Sequence, residues 1–225
     1  MKAYLEPQDI DKLIAVCNCV RDQIAIRLLF RLGCRVSELN SIEHEKDIDW
    51  ADRLISIRHL KKRTNLHCPQ CNTRLAKTAK FCPGCGQTVT SLISAQSAEE
   101  HRRRIRIDQE TLDAIKDYLQ RRQVKDKRLM PLSRQRIYAI VRQAAAAAGL
   151  DGKILQIEEL TQDHYISPHR LRDAHAVTWL KRRDSLESQR ALQQQLGHQS
   201  FDTTMKYRKM ASKELSEIYD SIWNQ

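Results

Sequence analysis

The sequence contains no run of about 18 apolar residues, the shortest span with which an α-helix crosses a bilayer, and this excludes a transmembrane helix. Its first residues, MKAYLEPQDID, lack the apolar core of a secretory signal peptide. Aromatic residues are scarce, at 5% of the chain, and no internal repeat is present. We therefore expect a cytoplasmic protein, long enough at 225 residues for one sizeable domain or two small ones.

Positive charge is concentrated in the middle of the chain. Residues 51–150 carry 21 basic and 8 acidic side chains, whereas the flanking segments are balanced or slightly acidic, and the whole chain has a formal net charge of +11. A basic block of this kind indicates a polyanionic partner, most often nucleic acid. A solvated Lys/Arg-rich surface without a partner is the alternative that charge alone leaves open.

The hydrophobic pattern predicts a mostly helical chain with a small sheet. Apolar residues recur at three- and four-residue spacing over 8–19 and 22–32, Gly33 suits a helix end, and a short helix starts from Arg35. The segments DIDW, LISIRHL and RRRIRID alternate like three short strands. Further helices are predicted after Asp108, Ser133 and Ser167, and over 187–196, 201–210 and the tail. The fold class is therefore α+β, mainly helical, with a small three-stranded antiparallel sheet.

Four of the seven cysteines form two C-x-x-C pairs, Cys68 with Cys71 and Cys82 with Cys85. Disulfides are rare in the cytosol, and four thiolates at this spacing suit one tetrahedral, structural zinc ion. The pattern resembles a zinc ribbon, which we place at 64–100, between the second and third predicted strands. Four free thiols, or a redox-active C-x-x-C, are the alternatives.

Three further segments are informative in combination. RLGCRVSEL places Arg35 just after a helix-ending glycine, and SPHRLRDAH places His169 and Arg172 on one face of a helix. LGHQSFDTTMKY places His198 nine residues before Tyr207. Together they resemble the signature of the tyrosine recombinase (phage integrase) family, which has a G-x-R-x-x-E-L segment, an H-x-L-R segment, and an L-G-H segment with a tyrosine nine residues later.

The resemblance covers about residues 5–215 apart from the cysteine insertion, and it implies how DNA is cut. Tyr207 is the expected nucleophile, which attacks a phosphodiester and forms a 3′-phosphotyrosyl link without ATP or a catalytic metal. Arg35 and Arg172 are expected to clamp the nonbridging oxygens, where negative charge develops. His198 is expected to add a hydrogen bond to the same phosphate.

The proton transfers are assigned to other residues. His169 is placed to act as general base and then as acid. The family pattern implies that a lysine in the hairpin between strands two and three protonates the leaving 5′-oxygen; Lys61 has the right offset, and Lys62 is nearly as good. Glu38 is assigned to holding Arg35 in place. Asp173 departs from the family pattern, and its charge either weakens phosphate binding or supports a neighbouring arginine.

The resemblance also implies partners and location. It implies double-stranded DNA as substrate, a homo-oligomer (a tetramer) on that DNA, no membrane association, and the nucleoid of a prokaryote, or of the host of a virus, plasmid or other mobile element. We expect residues 1–225 to form the catalytic domain, with the family's N-terminal core-binding domain absent. A catalytically idle DNA-binding relative and a type IB-like topoisomerase, which uses the same chemistry, are the two alternatives.

Overall fold

The structure, a computed structural model, describes residues 4–58, 65–76, 78–89, 93–95, 102–122, 125–150, 165–198 and 200–210. It divides the chain into two compact units, which are residues 59–101 and the remainder of the chain. We call these the inserted unit and the main unit.

The main unit is mostly helical, as the sequence predicts. In chain order its helices are α1 (Pro7–Ala15), α2 (Val20–Leu32), α3 (Val36–Asn40), α4 (Gln109–Arg121), α5 (Arg134–Ala147), α6 (Pro168–Arg182), α7 (Leu186–Leu196) and α8 (Phe201–Met210). The first helix ends four residues before the predicted boundary, because Cys19 already has extended backbone and is the N-cap of α2. The predicted tail helix lies outside the described residues.

The helix ends lie close to the signals in the sequence. The side chains of Asp108 and Ser133 accept backbone N–H groups as N-caps of α4 and α5. Gly33 and Gly197 end α2 and α7 in the left-handed conformation, with φ of 55° and 66°. Ser167 occupies the N-cap position of α6 but makes no side-chain cap hydrogen bond.

A three-stranded antiparallel sheet confirms the strand prediction. Its strands are β1 (Ile48–Asp49), β2 (Leu54–Arg58) and β6 (Arg102–Arg106), in the order β1-β2-β6. Ile55 and Ile57 are fully buried, and Ile105 is paired with Ile55, so the apolar side of the period-two pattern faces the core. The last residue of β2, Arg58, is paired with the first residue of β6, Arg102.

Part of the positive charge of the basic block is neutralised within the fold, because arginines of β2 and β6 form ion pairs with acidic residues of the segment that precedes β2. These ion pairs are Arg58 with Glu43 (3.0 Å), Arg102 with Asp47 (3.2 Å), Arg103 with Glu38 (2.7 Å) and Arg104 with Asp49 (3.3 Å). The net charge of the middle segment therefore overstates the positive charge that is free to meet a polyanion.

Two apolar clusters hold the helices of the main unit together. The larger one surrounds α2, seven of whose residues are buried. The smaller one joins α6, α7 and α8 and consists of Ala176, Val177, Leu180, Leu192, Leu196 and Tyr207. The tyrosine singled out by the sequence is thus part of a packed layer. Within the described residues, no helix combines the length and the apolar character that crossing a bilayer requires.

The inserted unit contains a second small sheet that the sequence pattern does not predict. Its strands are β3 (Asn65–His67), β4 (Arg74–Leu75) and β5 (Ile93–Ala95), in the antiparallel order β4-β3-β5. Strands of two or three residues are too short to show a period-two pattern. Among the residues of this unit that the structure describes, the buried apolar cluster comprises Cys68, Leu75 and Cys82, with Ala79 and Val89 packed against it.

Candidate active site

Arg172 is the buried centre of the candidate site, with 2% of its surface exposed. Its guanidinium donates to the carbonyl oxygens of Gly33 (2.6 Å) and Leu196 (2.8 Å). These carbonyls belong to the C-terminal ends of α2 and α7, where unpaired acceptors and negative helix-dipole charge favour a cation. Burial, and then the positive charge of Arg35, lower the pKa of Arg172 from its ordinary value.

His198 lies directly after the helix-ending Gly197 and is held from both sides. Its Nε2 is 2.9 Å from Arg172 Nη2 and its Nδ1 is 3.0 Å from Thr204 Oγ1. Because a guanidinium only donates, Nε2 must be the acceptor, and the proton of the neutral ring lies on Nδ1. Burial and the charge of Arg172 lower the pKa of His198 to about 4, so the imidazole is neutral at pH 7.

Arg35 is the N-cap residue of α3 and forms a reciprocal pair with Glu38. Its Nη1 donates to Glu38 Oε1 and its backbone N–H donates to Glu38 Oε2, both at 2.9 Å. The Arg35 side chain is 39% exposed, whereas that of Glu38 is 1% exposed. The Glu38 carboxylate thus fixes the backbone N–H and one guanidinium nitrogen of Arg35, and it leaves part of the guanidinium accessible. This agrees with the prediction that Glu38 holds Arg35 in place.

Tyr207 lies beside His198 in the candidate site. Its ring stacks on that of His198, with centroids 6.1 Å apart and an interplanar angle of 14°, and its surface is 8% exposed. Burial, and then the negative charge of Asp173, raise the pKa of Tyr207 to about 12, while the positive charge of Arg172 opposes this rise. Asp173 itself accepts a hydrogen bond from Arg170 at 3.0 Å. The negative charge of Asp173 therefore favours the protonated phenol, and the positive charge of Arg172 favours release of its proton.

This balance yields a prediction for Asp173→Asn. Removing the negative charge is expected to lower the pKa of Tyr207 below its value of about 12, yet leave it above 10, because burial is unchanged. Ultraviolet difference titration checks this, with Tyr207→Phe in the same background as the reference that isolates one phenol. An unchanged or higher pKa would contradict the placement of Asp173 at this hydroxyl.

The structure brings four of the six predicted catalytic residues into one neighbourhood, Arg35, Arg172, His198 and Tyr207. His169 is the second residue of α6 and its side chain is exposed. Lys61, with its alternative Lys62, lies outside the described residues.

Two residues next to the candidate site, the buried Thr204 and the partly buried Arg103, are not predicted from the sequence. Thr204 is fully buried and orients His198. Its position three residues before Tyr207, one helical turn away on α8, is a signal that could have found it. Arg103 donates to Glu38 and to the carbonyl of Gln195. Arg103 lies on the same side of β6 as the buried Ile105, whereas Arg102 and Arg104 are exposed, so the period-two alternation of RRRIRID is a signal that could have found it.

The four cysteines of the inserted unit form a cluster that could hold a metal ion. The ligand atoms of Cys68, Cys71, Cys82 and Cys85 all lie within 4.8 Å of one another. The Sγ atoms of Cys68 and Cys85 are 3.7 Å apart, and those of Cys71 and Cys82 are 3.4 Å apart. Sulfur atoms around a tetrahedral ion with bonds of about 2.3 Å are separated by about 3.8 Å, so the donor set fits such an ion.

The two C-x-x-C turns share one backbone geometry. In each turn the N–H of the first cysteine donates to the carbonyl five residues later, at 2.9 and 2.8 Å. The carbonyl of that cysteine accepts from the N–H four residues later, at 3.0 and 2.9 Å. The residue at that later position has positive φ in both turns, 56° at Asn72 and 72° at Gly86. The cysteines are thus presented by two matching turns.

Comparisons with known proteins agree with this geometry. The sequence profile described as the phage integrase family matches residues 3–82 and 84–214. The tyrosine recombinase XerA of Pyrococcus horikoshii is 24% identical over 216 residues, which cover 96% of this chain and 60% of that protein.

Solved structures share the fold. The crystal structure of XerA recombinase has a TM-score of 0.64 and 20% identity, and the match covers 98% of this chain and 63% of the other. A structure of the XerH site-specific recombinase bound to palindromic difH substrate, a post-cleavage complex, has a TM-score of 0.63 and 16% identity, and covers 99% of this chain and 53% of the other. The chain therefore spans between 53% and 63% of the length of these relatives.

Proposed function

From the premise that this chain belongs to the phage integrase family, we propose that it is the catalytic domain of a site-specific tyrosine recombinase. Its substrate is double-stranded DNA, which it cuts and rejoins through a 3′-phosphotyrosyl intermediate. One observation carries the proposal: the Tyr207 ring stacks on that of His198, whose Nε2 lies 2.9 Å from Nη2 of the buried Arg172. A domain that only binds DNA has no need to hold a phenol there.

The cleavage step follows from this arrangement. The Tyr207 oxygen attacks the phosphorus, the new P–O bond replaces the bond to the 5′-oxygen of the next nucleotide, and that oxygen leaves. Negative charge on the nonbridging oxygens is stabilised by Arg172 and by the exposed part of Arg35, whose paired donors suit a phosphate. Because one phosphodiester replaces another, rejoining is the reverse attack by a 5′-hydroxyl and needs no ATP.

Two protons must move during this step. We assign the proton of the leaving 5′-oxygen to Lys61, with Lys62 as the alternative. The Tyr207 proton is assigned to His169, which stands one helical turn before Arg172 on α6. In the DNA-free protein, burial and the negative charge of Asp173 raise the pKa of Tyr207 to about 12, so the phenol is protonated at pH 7. We therefore expect Tyr207 to lose its proton only when the substrate phosphate and the general base His169 are in place.

The partners follow from the same proposal. Double-stranded DNA is the substrate, and strand exchange between two duplexes calls for a homo-oligomer, for which we propose a tetramer. The XerH structure is that of a recombinase bound to its own palindromic difH substrate after cleavage, which supports the proposal without fixing the target of this chain. We place the protein in the cytoplasm of a prokaryote, at its nucleoid.

A nicked duplex tests the proposal without knowledge of the target sequence. The probe is a library of duplexes that is randomised around a single nick, so that cleavage releases a short fragment and traps the covalent intermediate. We expect protein–DNA adducts that survive denaturation, with the DNA attached to the peptide that contains Tyr207. A library that yields no adduct would contradict the proposal. Relaxation of supercoiled plasmid by single strand passage, without strand exchange between adducts, would favour a topoisomerase instead.

For the inserted unit we propose one structural zinc ion bound by Cys68, Cys71, Cys82 and Cys85. Support comes from the cluster geometry, the matching turns and the all-cysteine donor set, which closes the coordination sphere. When bound, zinc supplies folding energy to a unit in which the described residues form an apolar cluster of three buried side chains. We assign it no step in DNA cleavage.

The zinc proposal predicts a localised effect of metal removal. Protein purified without chelators is expected to contain about one zinc ion per chain, and a chelator is expected to unfold the inserted unit alone. Elemental analysis gives the stoichiometry, and hydrogen exchange shows which segment loses protection. Cys71→Ser is expected to release the metal, whereas Cys19→Ser, at an exposed cysteine outside the cluster, keeps it. Purified protein without zinc would refute the assignment.

A further inference from the structure

The guanidinium of Arg103, on β6, donates hydrogen bonds to two different helices of the main unit, α3 and α7. Nη2 and Nη1 donate to the two carboxylate oxygens of Glu38, at 2.7 and 3.3 Å, and Nε donates to the carbonyl oxygen of Gln195 at 2.7 Å. The side chain is only 12% exposed. Three donors of one planar group are thus used at once, a geometry that lysine cannot reproduce.

The first of these contacts reaches Arg35. Glu38 is buried, and both of its oxygens also accept hydrogen bonds from Arg35, one from the side chain and one from the backbone. Burial raises the pKa of Glu38, but the hydrogen bonds and charge of Arg103, aided by Arg35, outweigh it and hold the pKa below its ordinary value. Arg103 therefore keeps this carboxylate ionised and fixed in the place from which it holds Arg35.

The second contact reaches Arg172 and His198. Gln195 directly precedes Leu196, whose carbonyl accepts from Arg172 at 2.8 Å, and it stands three residues before His198. By holding the last turn of α7, Arg103 sets the position of the carbonyl that receives Arg172. One side chain thus bears on three groups of the candidate site, through Glu38 on one side and through the end of α7 on the other.

We infer that Arg103 is a positioning residue for DNA cleavage, which aligns Arg35 through Glu38 and aligns Arg172 and His198 through the end of α7. This inference rests on the proposed function. It assigns a role to the strand that closes the sheet after the inserted unit, and it distinguishes Arg103 from its neighbour Arg104. The latter pairs with Asp49 at 3.3 Å and is 60% exposed, so Arg104 is the matched control.

The main test is a double-mutant cycle, read as the single-turnover rate of adduct formation on the nicked duplex at saturating DNA. Arg103→Ala is expected to slow cleavage by about 10- to 100-fold, because misplaced arginines lose alignment with the phosphate. In an Arg35→Ala background the same change is expected to cost less than about 5-fold, since part of what Arg103 positions is gone. Arg104→Ala is expected to stay within about 2-fold of the parent chain.

A charge-conserving variant separates positioning from electrostatics and also serves if Arg103→Ala fails to fold. Arg103→Lys keeps the positive charge but not the three-donor geometry, and it is expected to remain at least about 5-fold below the parent rate with unchanged DNA affinity. Full recovery by lysine would overturn the inference, because charge alone would then suffice. Equal losses in both backgrounds of the cycle would overturn it as well.

A second measurement needs no DNA, so it separates failure of this inference from failure of the proposed function. In the DNA-free protein, Arg103→Lys is expected to raise the pKa of Glu38, followed by carbon-13 NMR, and to shift the signals of Arg35 and His198. Arg104→Ala is expected to change neither. If the parent chain forms no adduct, the proposed function fails. If Arg103→Lys changes neither the pKa of Glu38 nor the signals of Arg35 and His198, the positioning inference fails.

Discussion

Replacing Tyr207 with phenylalanine is expected to abolish covalent attachment to DNA, with a loss of at least about 10⁴-fold in the rate of adduct formation. The hydroxyl oxygen is the atom that forms the bond to phosphorus, and no other atom of the side chain can replace it. The ring, which stacks on His198 and packs in the cluster of α6, α7 and α8, is retained. DNA affinity and thermal stability are therefore expected to change little.

The matched control for this substitution is Tyr165→Phe. Tyr165 is 63% exposed, so the same hydroxyl is removed from a tyrosine that is not packed in the candidate site. It is expected to cleave the nicked library at the parent rate. Adducts that persist in Tyr207→Phe at a comparable rate, with the DNA mapped to another residue, would show that the nucleophile is assigned wrongly.

Arg172 is expected to be the next most sensitive position, because its loss affects both chemistry and folding. Arg172→Ala removes a cation from the reacting phosphate, for which we expect at least about a 10³-fold slower cleavage. It also leaves the buried carbonyls of Gly33 and Leu196 without their donor. We expect this to lower the free energy of unfolding by about 2–5 kcal/mol.

The two effects of Arg172 can be measured apart. Denaturant titration gives the loss of stability, and cleavage is then assayed at a temperature where circular dichroism shows the variant to be folded. Arg172→Lys retains a charge but not the set of contacts, and we expect it to be slow even when folded. Arg183→Ala, at a side chain that is 73% exposed near the end of the same helix, is the control and should change neither. Near-normal cleavage by folded Arg172→Lys would contradict the clamp.

The sequence predicts those parts of the candidate site whose geometry is local. His169 and Arg172 share a helix. His198 follows the end of α7 and Tyr207 lies in the next helix, α8, so the spacing of these residues constrains their positions. The helix ends at Gly33 and Gly197 are similarly readable, because left-handed backbone favours glycine. The two C-x-x-C turns belong to the same class of local signals.

The parts that the sequence did not predict depend on pairings between distant segments. Arg103 and Glu38 are 65 residues apart, so the alternation of β6 can place Arg103 on the core-facing side but cannot identify its partner. The tautomer of His198 follows from contacts with Arg172 and Thr204, not from its own segment. Asp173 is recognisable as unusual from the sequence, but its place between Arg170 and the Tyr207 hydroxyl depends on the packing of α6 against α8.

The register of the sheet explains how an insertion of this kind is tolerated. Arg58 and Arg102 are a pair in an antiparallel ladder, so the chain leaves and re-enters the sheet at points about 5 Å apart. A segment joined at two such points alters neither the strand pairing nor the core, and the entropy of closing a loop grows only with the logarithm of its length. The hairpin is thus a permissive attachment point, at which evolution can add, exchange or delete a metal-stabilised module, provided that the segment carrying Lys61 and Lys62 is retained.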